Sequence, residues 1–342
     1  MIHFSYSFCM AMLHSFWQAG LLVFIYFISS KLIHKNNSPL ANRNILYASL
    51  VTQTLLTALT FCFYFFNTSA IGSFTAITAM VYAYINPVAI QIAAPFIFGL
   101  YIFIMVYKSV KTIYTWYHFK KQASSGLLKA PLELKLFTNQ KAHQFGIKRK
   151  VTIFLSNTIH TPITFGFFKP LILLPVALVN NLSLQQAETL ILHELTHICT
   201  NDYLLNWFLI LTESIFFFNP FVRNICKRIK LEREKNCDLN VITFEYSPAL
   251  YAETLLQAEK IKQQVPNFQL AAVNQKKQLL KRIEFFTTKT VLTKTFRFNL
   301  LAPIIGLILI FLLALSFLYQ TGNTTLPLHS AMYVPYLPIN NY

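Results

Sequence analysis

Charge is scarce in this chain. Asp, Glu, Lys and Arg make up 12% of its 342 residues, against roughly 25% in ordinary soluble domains. Acids are the scarcer sign, 12 against 29 Lys and Arg. Cysteine is sparse too: five residues, an odd number, with no C-x-x-C pair. That excludes a disulfide framework and a cysteine-based zinc knuckle. No basic stretch precedes the first apolar run and no A-x-A pattern follows it, so the run is expected to be retained rather than removed as a signal peptide. What abounds is apolar: 55% hydrophobic residues, including 33 Phe. Disorder and a plain soluble globule are excluded, and the composition is that of a membrane protein.

The net charge of +17 has two readings, a nucleic-acid-binding surface or the positive-inside rule of membrane proteins. The placement of the charges decides. All 12 acids fall between Glu133 and Glu284, and every base except Lys31, Lys35 and Arg43 falls between Lys108 and Arg297. Residues 44–107 and 298–342 carry no Asp, Glu, Lys or Arg at all. A helix needs about 20 apolar residues to cross a bilayer, and four stretches qualify: 8–30, 45–66, 87–107 and 300–319. One orientation puts every Lys and Arg inside, with both termini outside. The chain therefore divides into a membrane region with three spans (1–107), a charged cytoplasmic domain (108–299), and a fourth span with a short extracytoplasmic tail (300–342). The expected fold class is a mainly α membrane protein with four transmembrane helices and a cytoplasmic α+β domain. Direct nucleic-acid binding is not expected.

The chemistry lies in the charged block. Ser183 followed by Gln186 reads as a capping box, and no Pro or Gly interrupts the residues that follow. On that helix His193-Glu194-Leu195-Thr196-His197 forms H-E-x-x-H. Two His at i and i+4 share one face, so both imidazoles can reach one Zn²⁺. Glu194 beside them is the candidate general base, the catalytic residue. A third protein ligand is needed. The uninterrupted stretch 223–242 offers Glu234 and Asp238 on one helical face. Glu234 is the candidate third ligand, although spacing alone leaves it open as a solvated-face residue. Asp238 is placed one shell out, accepting an imidazole N–H. Glu232 points about 200° away from Glu234 around the helix and is expected to pair with nearby bases.

Residues 203–222 are mostly apolar and long enough to pass for another span. A crossing there would put Glu234 on the opposite side from His193 and His197 and send basic residues outside. Glu213 and the Asn219-Pro220 stop also oppose it. The segment is read as a buried or membrane-dipping helix that returns the chain to the same side. Short strands are expected at 151–155 and 162–168, either an edge to which a peptide adds as a further strand or a small structural sheet. Asp202 either orients the zinc helix or caps the next one; the cap is the preferred reading. The basic stretch 276–289 is read as a helix held at anionic headgroups. His118, His143 and His160 have no ligand-like spacing.

Taken in order, these segments resemble the BlaR/MecR-type antirepressor metallopeptidases of bacteria. Leu13-His14-Ser15-Phe16-Trp17-Gln18 is similar to that family's entry motif, and Thr161-Pro162 through Phe165-Gly166-Phe167-Phe168-Lys169-Pro170 to Leu173-Leu174-Pro175 looks like the segment before its zinc helix. His193–His197 with Asp202-Tyr203, Phe217-Phe218-Asn219-Pro220, Glu234-x-x-Cys237-Asp238 and Tyr251-Ala252-Glu253-Thr254-Leu255-Leu256 then follow in the family's order. The resemblance implies a gluzincin-like zinc metalloendopeptidase in the bacterial inner membrane. Its ligands would be His193, His197 and Glu234. It further implies signalling by cleavage of a winged-helix repressor and of the protease itself, with the lipid bilayer and that repressor as partners and a homodimer left open. Family members that sense β-lactams carry a large extracellular penicillin-binding domain. Here only residues 320–342 follow the expected last span, with no S-x-x-K pattern, so the stimulus is expected to enter through the spans, a partner or a ligand. Self-cleavage is expected within 285–295. Membrane-protein quality control and non-catalytic transduction are the alternative functions.

Overall fold

The computed structural model describes residues 2–32, 38–66, 87–244, 246–263 and 272–288. The expected fourth span and the tail lie outside the described residues, as does most of the stretch 285–295. Three long helices open the chain: α1 (Ile2–Leu32), α2 (Pro39–Phe66) and α3 (Pro87–Ala123). Within them His3–Ser30, Pro39–Phe66 and Ile92–Ala123 are long and apolar enough to cross a membrane. Their apolar residues lie all round the helix rather than in one stripe, as suits a lipid-facing surface. Leu13, Trp17, Leu21 and Phe24 on α1 and Phe96, Leu100 and Phe103 on α3 are all exposed. The start of α2 is fixed locally. The Ser38 hydroxyl accepts the Ala41 N–H, and Pro39 occupies a first-turn position where its missing N–H is no loss. The third helix runs without a break across residue 107, so the membrane region and the charged block share one continuous element.

The charged block begins with β1 (Leu127–Lys129), α4 (Leu132–Gln144), β2 (Thr152–Ser156), β3 (Ile163–Phe165) and β4 (Leu171–Pro175). The strands form one sheet in the order β1-β2-β4-β3, with β2 and β4 parallel and the outer pairs antiparallel. Side chains alternate across a strand. Thus Ile172 and Leu174 pack with Leu134, Ile191 and Leu195 on one face, while Leu173 packs with Ala123 and Ile159 on the other. Complete burial of each such side chain contributes about 1.5–3 kcal/mol. Among the described residues β3 pairs only with β4, so it forms an edge of the sheet.

A short α5 (Val176–Asn181) leads to α6 (Leu184–Cys199), which carries H-E-x-x-H. Its capping box is formed: the Ser183 hydroxyl accepts the Gln186 N–H at 3.3 Å, and the Gln186 side chain accepts the Ser183 N–H at 3.0 Å. After α6 come α7 (Asp202–Ile215), α8 (Pro220–Phe244), α9 (Pro248–Gln263) and α10 (Ala272–Thr288). The twenty mostly apolar residues 203–222 are therefore not one helix. The chain breaks after Ile215, and Asn219 caps the new helix by accepting the N–H groups of Phe221 and Val222 at 3.0 and 3.3 Å. Its amide also donates to the Ser15 carbonyl of α1 at 3.0 Å. The reversal brings α8 back alongside α6 and onto the apolar helices. Ala19 and Val23 of α1, Leu46 and Leu50 of α2, Leu209 of α7 and Ile225 and Ile229 of α8 belong to one buried cluster. The long apolar helices and the helices of the charged block thus share a core.

Candidate metal centre

The residues of H-E-x-x-H face α8 from the middle of α6. The His193 and His197 rings lie 4.9 Å apart at 87° to each other. Glu234 of α8 approaches both: one carboxylate oxygen is 3.5 Å from His193 Nε2, the other 3.9 Å from His197 Nε2. One ligand atom from each residue lies within 4.8 Å of the other two. Bonds of 2.0–2.1 Å to a tetrahedral Zn²⁺ would set its ligand atoms about 3.4 Å apart. Two imidazole nitrogens and a carboxylate are the donor set of such an ion, which would draw atoms up to 4.8 Å apart together by up to about 1.4 Å.

The outer nitrogens are held so that the inner ones face the site. His197 Nδ1 is 2.7 Å from Asp202 Oδ2; a carboxylate only accepts, so Nδ1 carries the proton and Nε2 keeps its lone pair. The Tyr251 hydroxyl donates to Asp238 Oδ1 at 2.8 Å. Its proton is thereby committed, and at 2.9 Å it accepts from His193 Nδ1. Asp238 Oδ1 lies 3.4 Å from the same nitrogen. Arg282 of α10 closes the cluster, with Nε and Nη2 donating to Asp238 at 2.8 and 2.6 Å and Nη1 lying 3.4 Å from Glu234.

These contacts set the proton affinities. Burial alone would lower the pKa of His193, but its hydrogen bonds to Asp238 and Glu234 prevail and push it up to about 9. Burial would raise Glu234, yet the His193 hydrogen bond and the Arg282 charge hold it well below the ordinary carboxylate range. Asp238, wholly buried, is likewise held down by Arg282 against its burial. Without a metal the imidazole of His193 acts as the cation between two carboxylates. A divalent ion would take over that role.

Glu194 is buried beside the two histidines, and one of its oxygens accepts from the Thr164 hydroxyl of β3 at 2.5 Å. The cleft above has a volume of about 480 Å³ and is bordered by the β3 segment, Leu190, Leu255 and Arg282. The sequence profile of the BlaR1 peptidase M56 family matches residues 66–286.

The chain belongs to the BlaR1 peptidase M56 family.

All the groups described above fall inside the matched residues. The chain is 32% identical over 143 residues to the methicillin resistance mecR1 proteins of Staphylococcus aureus and Staphylococcus epidermidis, a match spanning 41% of this chain and 24% of the relative. It is 35% identical over 141 residues to the regulatory protein BlaR1 of Bacillus licheniformis, spanning 41% of this chain and 23% of that protein. The match thus spans about a quarter of the curated relatives' length. With the family shown, the three long apolar helices are those of a membrane protein.

Four positions correct or extend what the motifs suggest. Asp202 does not cap α7 with its side chain: Asn201 occupies the cap position, in the left-handed region at φ 52°. Asp202 instead orients His197 and pairs with Arg43 of α2 at 3.1 Å. The basic stretch 276–289 is not simply a face held at headgroups, since its Arg282 is turned into the site. Tyr251 and Thr164 contribute hydroxyls that residue type alone did not single out. One signal was available: the sequence has only two aspartates, 202 and 238, and each lies beside one histidine of H-E-x-x-H. Glu232 is 2.9 Å from Lys235, an ordinary ion pair. His160 borders the cleft, while His118 packs on the Tyr114 ring.

Proposed function

We propose that this M56 chain is a zinc metalloendopeptidase of the gluzincin kind, embedded in a bacterial inner membrane, that transduces a signal by cleaving a winged-helix transcriptional repressor and itself. The observation that carries the reading is the convergence of His193, His197 and Glu234 with Glu194 on the floor of a cleft beside a sheet edge. When bound, the zinc ion supplies Lewis acidity, making water nucleophilic at neutral pH and polarising a peptide carbonyl. Glu194 takes a proton from the attacking water and returns it to the departing amine. Thr164 holds the carboxylate of Glu194 in place. A substrate peptide lies along β3 as an added strand, its main chain hydrogen-bonded to the edge. Asp202, Tyr251 and Asp238 keep the two imidazoles in the tautomer that presents Nε2.

The charge placement supports a cytoplasmic site with the N-terminus outside, because that orientation keeps every Lys and Arg inside. Repressor cleavage as the output rests on the BlaR1 and MecR1 likeness. Co-expression with an epitope-tagged winged-helix repressor tests it: a defined fragment is expected with the native chain and none with Glu194→Gln. Glu194-dependent loss of many unrelated membrane proteins, with the repressor intact, would replace this reading with quality control.

A further inference from the structure

Three bases lie outside the charged block, and Arg43 is one of them. A base near the end of a membrane helix ordinarily extends its charged tip to the headgroups and water. Arg43 does the opposite. It is 6% exposed, and its Nη1 donates to Asp202 Oδ1 at 3.1 Å. The other oxygen of the same carboxylate sits 2.7 Å from His197 Nδ1. Asp202, 4% exposed, is therefore a two-sided bridge with an arginine of α2 on one oxygen and a metal-ligand imidazole on the other. Burying a guanidinium is expensive unless it is paired. The pairing found here leads directly to the ligand set.

The neighbouring contacts hold this bridge in register. Asn42, the preceding residue, donates to Glu232 of α8 at 3.4 Å. Leu46 and Leu50, one and two turns further along α2, are fully buried in the cluster they share with Ile225 and Ile229 of α8. Glu234, the third ligand, lies on that same α8. The first turn of α2 is thus fastened both to the helix carrying Glu234 and to the carboxylate that orients His197.

We propose that Arg43 is a positioning residue of the metal centre: through Asp202, the seating of α2 against α7 and α8 sets the orientation and tautomer of His197. A displacement of α2 withdraws the counter-charge of Asp202, loosens the imidazole and weakens metal binding. This inference rests on the zinc-peptidase reading for its consequence. The contacts themselves are between groups of this chain alone.

The test uses the full chain in lipid nanodiscs, with Arg43→Gln, Arg43→Lys, Asp202→Asn, and the Arg43→Gln/Asp202→Asn double variant. The first readout is affinity for Co²⁺ and Zn²⁺ by chelator competition, together with the Co²⁺ d–d spectrum. The second is the ¹⁵N-imidazole spectrum of His197 in metal-free protein. Arg43→Gln and Asp202→Asn should each weaken metal binding by roughly 10–100-fold. The double variant should bind no worse than Asp202→Asn alone, as expected for two groups acting in series. In metal-free Arg43→Gln the Asp202 carboxylate, no longer held by the guanidinium, should turn away from His197, so that the Nδ1–H tautomer loses its preference. A matched loss of stability on the sheet face away from α6, as in Leu173→Ala, should leave affinity and spectrum unchanged. Arg43→Lys keeps the charge without the planar fork and should fall between native and Gln; it gives the comparison if the Gln variant does not fold. Native affinity and tautomer in Arg43→Gln, or in Arg43→Lys where Gln does not fold, or additive losses in the double variant, would overturn the inference. A native chain that binds neither metal sinks the peptidase reading instead. The tautomer measurement still decides the role of Arg43 in that case.

Discussion

Arg282→Gln is the perturbation whose size follows most directly from the geometry. Asp238 has no exposed surface, and two of its hydrogen bonds, at 2.8 and 2.6 Å, come from Arg282. Charge-assisted hydrogen bonds are each worth about 1.5–3 kcal/mol, and breaking a buried ion pair by removing one partner costs about 3–5 kcal/mol. The two routes agree on a loss of about 3–5 kcal/mol, which would lower the melting temperature of a 342-residue chain by about 4–7 °C. The same guanidinium lies 3.4 Å from Glu234, so the loss should depend on metal. A divalent ion on Glu234 and His193 supplies positive charge that the arginine otherwise provides. Melting followed by circular dichroism in detergent, with zinc and with chelator, should show the larger drop in chelator. Arg282→Lys should recover less than half of it, because an ammonium cannot bond Asp238 in the same bidentate way. A Gln variant melting within about 2 °C of the native protein under both conditions would refute the reasoning, since a buried carboxylate left with the Tyr251 hydroxyl and no counter-charge cannot be that inexpensive.

In metal-free protein His193 holds its proton up to about pH 9, whereas the unfolded chain releases it near 6.5. Stability without metal should therefore be full below about pH 6.5 and fall by up to ~3 kcal/mol as pH rises through 9; a melting series from pH 6 to 9.5 that stays flat would contradict it. Zinc affinity should rise over the same window, by about tenfold per pH unit, because binding must displace that proton. Tyr251→Phe keeps the ring but removes the hydroxyl between His193 and Asp238; chelator competition should show zinc affinity lower by roughly 10–100-fold. Ser183→Ala removes one half of the capping box of α6 and should destabilise the protein by about 1 kcal/mol without changing metal affinity.

Features written in local spacing were legible in the sequence. The capping box placed the start of α6, the i, i+4 pairs put His193 with His197 and Glu234 with Asp238 on shared faces, and alternation located β2 and β3 to within a few residues. The Asn219-Pro220 stop argues against a full crossing at 203–222, yet apolar length reads the segment as one helix; the break after Ile215 divides it between α7 and α8. What spacing could not supply was the partner of a charge. Asp202 reads locally as a cap because acids favour helix starts, and only the approach of Arg43, far away in sequence, shows that its carboxylate is otherwise engaged. Arg282 reads as one more cation in a basic stretch, and only the docking of α10 on α8 reveals it beside Asp238. Three of the four expected spans are described helices. The fourth falls outside the described residues.

The most direct measurement is cleavage by the zinc-loaded native chain compared with zinc-loaded Glu194→Gln, each at one metal per chain, on the chain itself and on a repressor substrate. The native chain should cleave. The Gln variant, which keeps all three ligands, should hold the same zinc and cleave about 10²–10⁴-fold more slowly. Equal cleavage by the two, or a native chain that holds zinc and cuts neither substrate, would contradict the assignment of Glu194, His193, His197 and Glu234 as the centre of a peptidase.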